Sequence, residues 1–523
     1  MERRKFLKYA AATLSTPFVF QGQWISAMAD DAIFNVLNSY NPDRKLVLIQ
    51  LNGGNDGLNM VIPISQYDNL ANARGNILVQ KQQILKLTDE TGFHPSMPEL
   101  TDLYKEGKVQ IIQGVGYPNP NLSHFRSKDI LMSASDSNIV INSGWMGRIF
   151  SNKFPNYPIG YPNTSQPHPI ALTIGSASSA ICQSELANYS SVLTNLSSTY
   201  TNSLANVSYP ETPYGNELRF VTRIMEQTES YLSVIKAAAG KAKNLSALYP
   251  PKGQNSLADQ LKIVANLIAG GLQTQIYVVS LGGWDTHSLQ VNSLADKLNG
   301  AQPLLMSKVS KAIAAFADDL KLMNKADDVI GFVFTEFGRR IKSNDSLGTD
   351  HGTTWPAIVF GSKVNPGILG QNPVIQTIVG KSDNLALQYD FRSIYAGLSK
   401  QWFNIDDQEI LQIFGKSFPE IQIIAQSTAN YTIREETSKS MKLWPNPVED
   451  HAQLSFEADG NLIQVQIYSM QGSLIENNLQ QKFPKGRHQI VLQLGHLATG
   501  MYLLVLQGTK SRETLKFVIR RNR

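Results

Sequence analysis

The chain has 523 residues, enough for two or three domains with substantial apolar cores. Its formal charge of +5 is concentrated in residues 1–8 and 509–523, which leaves the long middle of the chain slightly acidic, so a nucleic-acid partner is not expected. The single cysteine, Cys182, excludes an internal disulfide framework.

Residues 1–29 have the pattern of an export signal. A basic start at 3–8 precedes an apolar stretch at 9–20, and Ala27 and Ala29 mark a small-residue cleavage site. The apolar stretch is shorter than the about 20 residues that a membrane helix needs. The paired arginines Arg3 and Arg4, followed by Lys-Phe-Leu-Lys, resemble a twin-arginine signal, which implies export of the folded chain into the periplasm by the twin-arginine machinery. An ordinary secretory signal is the alternative.

Residues 40–430 form the predicted main domain. Apolar runs that alternate with amphipathic stretches are typical of a sheet buried on both faces. We therefore predict an α/β fold with a mostly parallel sheet covered by helices on both faces. The apolar runs lie at 46–51, 109–112, 276–281, 329–334 and 357–360, and the amphipathic stretches at 216–239, 256–269 and 292–323.

The stretch at 161–214 is rich in Ser, Asn and Thr and fits neither the helix nor the strand period. Three interpretations remain open for it: a long loop, a lid over a site, or a small subdomain.

Polar residues flank the apolar runs where a ligand crevice is expected, because in an open parallel sheet the crevice lies beyond the carboxyl ends of the strands. Asp and His without Cys are a ligand set for a divalent ion such as zinc or manganese. An Asp-His pair is also a common hydrogen-bonded couple that fixes a turn. The residues are Asp56 after the first run, Ser123, His124 and Arg126 after the second, Asp285 and His287 after the third, Glu336, Arg339 and Arg340 after the fourth, and Asp350 and His351 before the fifth.

The last part of the chain has a different composition. A linker at 431–442 is followed at 443–523 by short alternating strands separated by Gly, Asn and Pro, which predicts an all-β sandwich. The segments WPNPVED, IYSMQGSLI, LATGMYLLVL and LKFVIRR resemble the type A C-terminal sorting domain of the type nine secretion system. This resemblance implies passage across an outer membrane and release or attachment at the cell surface. A carbohydrate-binding sandwich is the alternative.

Motifs of the main domain also resemble known families. LNGGNDGLNMVIP, GFHPSMPEL, VGYPNPNLSHF, LGGWDTH, TEFGRR and GTDHG, in this order, are similar to the bacterial family called domain of unknown function 1501. The order Asp, Ser, Asp-x-His and Asp-His-Gly resembles the alkaline phosphatase superfamily, in which two metals flank a Ser or Thr nucleophile. The resemblance implies an alkaline phosphatase-like fold that binds a divalent metal.

Carried onto this sequence, the resemblance gives the candidate residues roles. Ser123 would be the nucleophile, activated by the metal. Arg126 or Arg339 would hold a phosphate or sulfate oxygen, and His124 would be a ligand or an acid. The implied metal ligands are Asp56, Asp285, His287, Asp350 and His351.

The sequence departs from the superfamily pattern in two places. Asp-x-His replaces the usual Asp-x-x-x-His, and a late histidine is missing where Asp390 and Arg392 stand. His94 is a candidate substitute ligand, or else a histidine that caps the turn before Pro95. Trp284 is expected to anchor its turn against the sheet.

Two functions are compatible with these patterns. The first is an exported metal-dependent hydrolase of phosphate or sulfate esters, acting on surface polymers or similar substrates. The second is a surface-displayed binding or assembly protein that uses the same fold without turnover, an alternative that the missing histidine favours. Nucleotide-dependent chemistry is not expected, because the sequence contains no phosphate-binding loop and no dinucleotide fingerprint.

Overall fold

The computed structural model describes residues 18–20, 23–25, 43–185, 187–196, 209–425, 441–458, 460–469, 474–507 and 512–521. The chain divides into two compact units, residues 1–426 and 427–523. The predicted signal peptide is described only at Phe18–Phe20 and Gln23–Ile25, which pair as antiparallel strands. Almost all of the predicted linker lies outside the described residues.

The first unit contains a nine-stranded sheet. In chain order its strands are β1 Lys45–Leu51, β2 Val109–Gly116, β3 Ala171–Ile174, β4 Ser190–Leu193, β5 Ile276–Leu281, β6 Val329–Thr335, β7 Trp355–Phe360, β8 Gly367–Leu369 and β9 Tyr389–Asp390. Across the sheet they lie in the order β8-β2-β7-β6-β1-β5-β3-β4, and β9 pairs with β2.

The burial of the central strand β1 explains why the strand sequences are continuous apolar runs rather than alternating apolar and polar residues. Every residue of β1 is buried, because helices cover both faces of the sheet. Leu46 and Leu48 point into one apolar core, and Val47 and Ile49 into the other. The predicted α/β class is confirmed. Among the described strands of this sheet, β7 runs antiparallel to its neighbours β6 and β2, while the other pairs are parallel.

Ten α-helices are described in this unit, several of them on the faces of the sheet. The helices are α1 Gly57–Met60, α2 Tyr67–Arg74, α3 Pro98–Lys105, α4 His124–Ser133, α5 Trp145–Lys153, α6 Pro213–Lys241, α7 Ser256–Ala269, α8 Ala301–Leu322, α9 Phe391–Gly397 and α10 Asp407–Phe414. Residues of α5 and α9 contribute to the core that contains Leu46 and Leu48, and residues of α3, α7 and α8 contribute to the core that contains Val47 and Ile49.

Two regions differ from the pattern read in the sequence. The stretch at 161–214 supplies β3 and β4, which extend the main sheet, so its described residues are neither one long loop nor a separate subdomain. The helix expected from residue 292 begins only at Ala301, because Gly300 has a φ of +137° and interrupts the helical backbone.

Besides the pair formed by Phe18–Phe20 and Gln23–Ile25, short described strands of this unit form two further sheets. Val61–Pro63, Thr91–Phe93 and Leu85–Lys86 make a small antiparallel sheet. Gly338–Ser343 and Thr349–Gly352 pair antiparallel, and we call this pair the site hairpin. The site hairpin connects β6 to β7.

The second unit consists of two antiparallel sheets that share one apolar core, as the sequence predicted for an all-β sandwich. Leu454 and Phe456 from one sheet and Val465, Leu504 and Phe517 from the other are fully buried in that core. The strands are Lys442–Trp444, His451–Ala458 and Gly486–Gln493 in the first sheet, and Leu462–Ser469, Leu474–Lys482, Gly500–Gln507 and Arg512–Ile519 in the second.

Among the helices in the described part of the chain, none combines the length and the apolar character needed to cross a bilayer.

Candidate metal centre

Three parallel strands end together at one edge of the main sheet. Leu51 at the end of β1 is aligned with Leu281 of β5 on one side and with Thr335 of β6 on the other. The residues that follow these strands therefore meet at the same edge. This alignment brings the turn after β5, with Asp285 and His287, next to Glu336 after β6.

The antiparallel direction of β7 adds the site hairpin to this edge. Because β7 runs opposite to β6, its first residue lies where β6 ends. Asp350 and His351, which precede β7, therefore reach the edge formed by the ends of the parallel strands. A fully parallel sheet would have placed them at the opposite edge.

The start of α4 completes the cluster. Here Nδ1 of His351 lies 2.8 Å from the backbone oxygen of Leu122. His124, the first residue of α4, lies with its Nδ1 3.0 Å from Oε1 of Glu336 and its Nε2 3.5 Å from Oδ2 of Asp285.

Three side-chain atoms form a nearly equilateral triangle at the centre of the cluster. Nε2 of His287 and Nε2 of His351 are 2.9 Å apart, and Oδ1 of Asp285 lies 3.2 Å from the first and 3.3 Å from the second. Zinc bonds to nitrogen and oxygen of about 2.0–2.1 Å in a tetrahedron require ligand atoms about 3.3 Å apart. The triangle has nearly these dimensions.

The Nδ1 atom of each of the three histidines lies near a hydrogen-bond acceptor, which orients the imidazole ring. Nδ1 of His124 faces the carboxylate of Glu336, Nδ1 of His351 faces the Leu122 carbonyl, and Nδ1 of His287 lies 3.4 Å from Oδ1 of Asp350. In a neutral ring with its proton on Nδ1, Nε2 carries a free lone pair. Ligating histidines are commonly oriented by such acceptors.

The charges in the cluster favour ligand binding at neutral pH. Burial raises the pKa of the Asp285 carboxyl, but the hydrogen bond from Arg339 and the positive charge of Arg339 outweigh burial, so this pKa is lowered overall. Burial lowers the pKa of His351 despite the opposing Leu122 carbonyl. Asp285 is therefore anionic and His351 neutral, as metal ligands must be.

These residues fit a divalent ion. His124, Asp285 and His351 each bring one ligand atom within 4.8 Å of the others, and His287 adds a fourth donor to the group. About half of the Asp285 side chain is exposed, so the cluster is open to solvent on one side. Nitrogen and oxygen donors without sulfur match zinc or manganese.

Asp350 and Asp56 are placed differently from the other implied ligands. Oδ1 of Asp350 lies 3.4 Å from Nδ1 of His287, so Asp350 orients this imidazole from outside the triangle. Asp56 is fully buried, and its two oxygens lie 2.8 and 2.7 Å from Nη1 of Arg74, while Oδ2 also accepts from Gln290. A guanidinium group thus neutralises the Asp56 carboxylate, and the structure does not bring this carboxylate into the triangle.

The two candidate anion-binding arginines are engaged with the protein itself. Arg126 donates to Oγ of Ser135 and to backbone oxygens in the loop that follows α4. Arg339 is buried, donates to backbone oxygens of Gly53, Gly54 and Thr349, and holds Oδ1 of Asp285 at 2.7 Å. Arg339 therefore positions the Asp285 carboxylate.

Ser123 is exposed and directly precedes α4, and its side chain makes no capping hydrogen bond.

Trp284 is fully buried and anchors its turn, as expected. His94 is buried as well, and its Nδ1 accepts from the backbone nitrogen of Ser96, so it caps the turn around Pro95. Asp390 pairs with Arg392 and caps α9.

Glu336 is one of the polar residues that follow the fourth apolar run. It is fully buried, accepts from the backbone nitrogen of Gly53 at 2.8 Å, and holds His124. Lys128, one turn after His124, lies with its Nζ 3.8 Å from Oε1 of Glu336, although the sequence patterns do not single it out. Its spacing of four residues from His124 on a helix was the available signal.

Comparison with known proteins identifies the main domain. Residues 43–408 match the family described as "Protein of unknown function (DUF1501)". The chain belongs to this family. Residues 442–520 match a secretion system C-terminal sorting domain, as the sequence resemblance implied, and this match indicates export to the cell surface or beyond. No curated protein matches this DUF1501 chain.

Solved structures similar to the DUF1501 chain include members of the alkaline phosphatase superfamily. One, from Vibrio parahaemolyticus, is 9% identical, with 98% of this chain and 91% of that chain covered and a TM-score of 0.32. The phosphonate monoester hydrolase SpPMH from Silicibacter pomeroyi is 8% identical, with 91% and 89% covered and a TM-score of 0.31. PorZ, a type-IX secretion system surface component of Porphyromonas gingivalis, is 17% identical over 16% of this chain and 12% of that chain, with a TM-score of 0.14.

Replacing Asp56 should destabilise the fold without affecting metal binding. Asp56→Asn leaves the buried Arg74 charge unpaired, and we expect a loss of about 3–5 kcal/mol in the free energy of unfolding. The same change at Asp102, in an exposed pair with Lys105, should cost less than about 1 kcal/mol. Urea unfolding and metal analysis measure both effects, and loss of bound metal from a folded Asp56→Asn chain would contradict this assignment.

His94 should make stability depend on pH. Burial lowers its pKa from 6.5 to about 4, so stability should fall as the pH drops from 6.5 to 4, by about 3 kcal/mol in total. His94→Asn keeps an acceptor for Ser96 but cannot titrate in this range. Urea unfolding at several pH values should show a shallower pH dependence for His94→Asn. Equal slopes for the two chains would refute the prediction.

Proposed function

We propose that this DUF1501 protein is an exported, metal-dependent hydrolase of phosphate or sulfate esters. The proposal rests chiefly on the convergence of the Asp285 carboxylate and the Nε2 atoms of His287 and His351 within 2.9–3.3 Å of one another. These lone pairs and the carboxylate charge repel one another unless a cation or a shared proton lies between them. The solvent-open position at the strand ends is also where α/β sheets bind their ligands.

A divalent ion in this position would polarise an ester oxygen as a Lewis acid. Asp285, His287 and His351 would hold it, and His124 would supply a fourth donor or contact the substrate. We propose a single ion, because the Asp56 carboxylate is already paired with Arg74.

Ser123 is the proposed nucleophile. Its exposed side chain stands at the start of α4, where the first backbone amides lack acceptors within the helix and attract anions. In the proposed reaction, the Ser123 oxygen bonds to the phosphorus or sulfur, the alcohol leaves with a proton, and water then hydrolyses the serine ester.

Lys128 is the proposed cationic partner of the substrate. Arg126 and Arg339 are engaged by the protein, whereas about a third of the Lys128 side chain is exposed beside Glu336. The ammonium group and the first amides of α4 would together attract an anionic ester.

A second function is supported by the hydrogen bonds that Arg126 and Arg339 make within the protein. A site without a free arginine fork has less means to stabilise the charge of a transition state. This observation favours the alternative, a surface-displayed binding or assembly protein that holds a metal without turnover. Export is common to both proposals, and we further propose that the chain reaches the outer membrane through the twin-arginine machinery and the periplasm.

Metal binding is the first test of the proposal. We expect the purified chain to bind one zinc or manganese ion, and Asp285→Asn and His351→Gln to weaken binding at least about tenfold, because each removes a donor. His168→Gln is the matched control, since His168 contacts the backbone nitrogen of Gln273 in another part of the domain. Calorimetry with metal-free protein measures the affinities. Unchanged binding in both site variants would exclude this metal centre.

Turnover is the second test. With metal bound, we expect hydrolysis of 4-nitrophenyl sulfate or a 4-nitrophenyl phosphate ester, and a loss of at least about 100-fold in kcat for Ser123→Ala with the metal content preserved. Ser137→Ala, in the loop after α4, is the control and should leave kcat unchanged. A metal-loaded chain that cleaves none of these esters would support the binding function instead.

A further inference from the structure

The side chain of Gln290 is fully buried between the two segments that carry the proposed ligands. Its Oε1 accepts from the hydroxyl of Thr286 and from the hydroxyl of Thr349, each at 3.0 Å. Thr286 stands between Asp285 and His287, and Thr349 is two residues before His351. One amide oxygen thus connects both segments.

The other end of the amide fixes its orientation. Nε2 of Gln290 donates to Oδ2 of Asp56 at 2.8 Å and to Oε1 of Gln302 at 2.7 Å. A carboxylate only accepts, so a flipped amide would place oxygen against oxygen. Arg74 holds the Asp56 carboxylate in turn. The oxygen of Gln290 must therefore face the two threonines, and both hydroxyls must donate to it.

Backbone contacts join the same two segments. The backbone nitrogen of Thr349 donates to the oxygen of Thr286, and that of Gln290 donates to the oxygen of Leu347. A Cβ on Gly348 would lie 2.3 Å from the backbone of His287, so the two chains approach as closely as glycine allows. This junction brings the segment that carries His287 next to the segment that carries His351.

We propose that Gln290 is a positioning residue that sets the spacing of His287 and His351 for metal binding. This inference rests on the proposed metal centre. The Asp56–Arg74 pair anchors the far end of this amide, and Asn at position 56 would keep an oxygen that accepts from Nε2 of Gln290, so Asp56→Asn should leave the spacing of the ligand segments unchanged. Outer residues that orient metal ligands typically change metal affinity by about 10–100-fold when they are replaced.

Isosteric changes at the two threonines test the proposal directly. Thr286→Val and Thr349→Val remove each hydroxyl at nearly constant shape, and Thr286→Ser and Thr349→Ser restore it. Cobalt(II) is the probe, because its visible spectrum reports the coordination geometry as well as the affinity. We expect each valine variant to bind cobalt about tenfold more weakly with a changed spectrum, and the serine variants to resemble the wild type.

Thr101→Val is the matched control. The buried Thr101 hydroxyl donates to the backbone oxygen of Met97 at the start of α3, a bond that involves neither ligand segment. It should lower stability without changing the cobalt spectrum or affinity. If both valine variants at the site bind cobalt as the control does, the positioning role is refuted while the metal centre stands.

Hydrogen exchange of the metal-free chain separates this inference from the proposed function. If the wild type binds no cobalt, the metal centre fails, and exchange at the amides of Gln290 and Thr349 still tests the junction. Faster exchange there in the two valine variants, but not in Thr101→Val or the serine variants, would support the connection through Gln290. Equal exchange in all variants would overturn it.

Discussion

The arrangement of the candidate centre depends on an electrostatic constraint at the sheet edge. Two Nε2 atoms only 2.9 Å apart share the space next to the Asp285 carboxylate, and the outer nitrogen of each ring already faces an acceptor. With both rings neutral and their protons on Nδ1, two lone pairs and a negative charge face one another. Such a group is stable with a cation or a shared proton at its centre. The surrounding contacts keep the rings in this orientation, which is the usual environment of ligating histidines.

Asp285 and Asp56 have different surroundings, although the superfamily resemblance implies that both are metal ligands. Asp285 is held by Arg339 through one oxygen and remains half exposed, so it retains lone pairs for another cation. Asp56 is fully buried and shared between Arg74 and Gln290. The first carboxylate belongs to the solvent-open cluster, whereas the second belongs to the buried network behind it. This division agrees with the single ion that we propose.

The sequence predicted the sheet well because burial on both faces produces continuous apolar runs such as that of β1. It could not give the direction of β7, since an apolar run looks the same in either direction, although that direction brings Asp350 and His351 to the site. The sequence also could not predict that Asp56 pairs with Arg74, because nothing in the short helix α2 indicates that Arg74 is buried. Glu336 is among the residues that the sequence predicts at the crevice. Its contact with His124 depends on the position of α4, which the sequence does not give.

Anomalous X-ray scattering at the zinc edge, from crystals grown with zinc, tests the central claim most directly. The account predicts one strong peak per chain within about 2.0–2.2 Å of Oδ1 of Asp285 and of Nε2 of both His287 and His351. No peak at this position, or a peak bound to Asp56 with Arg74 displaced, would contradict it.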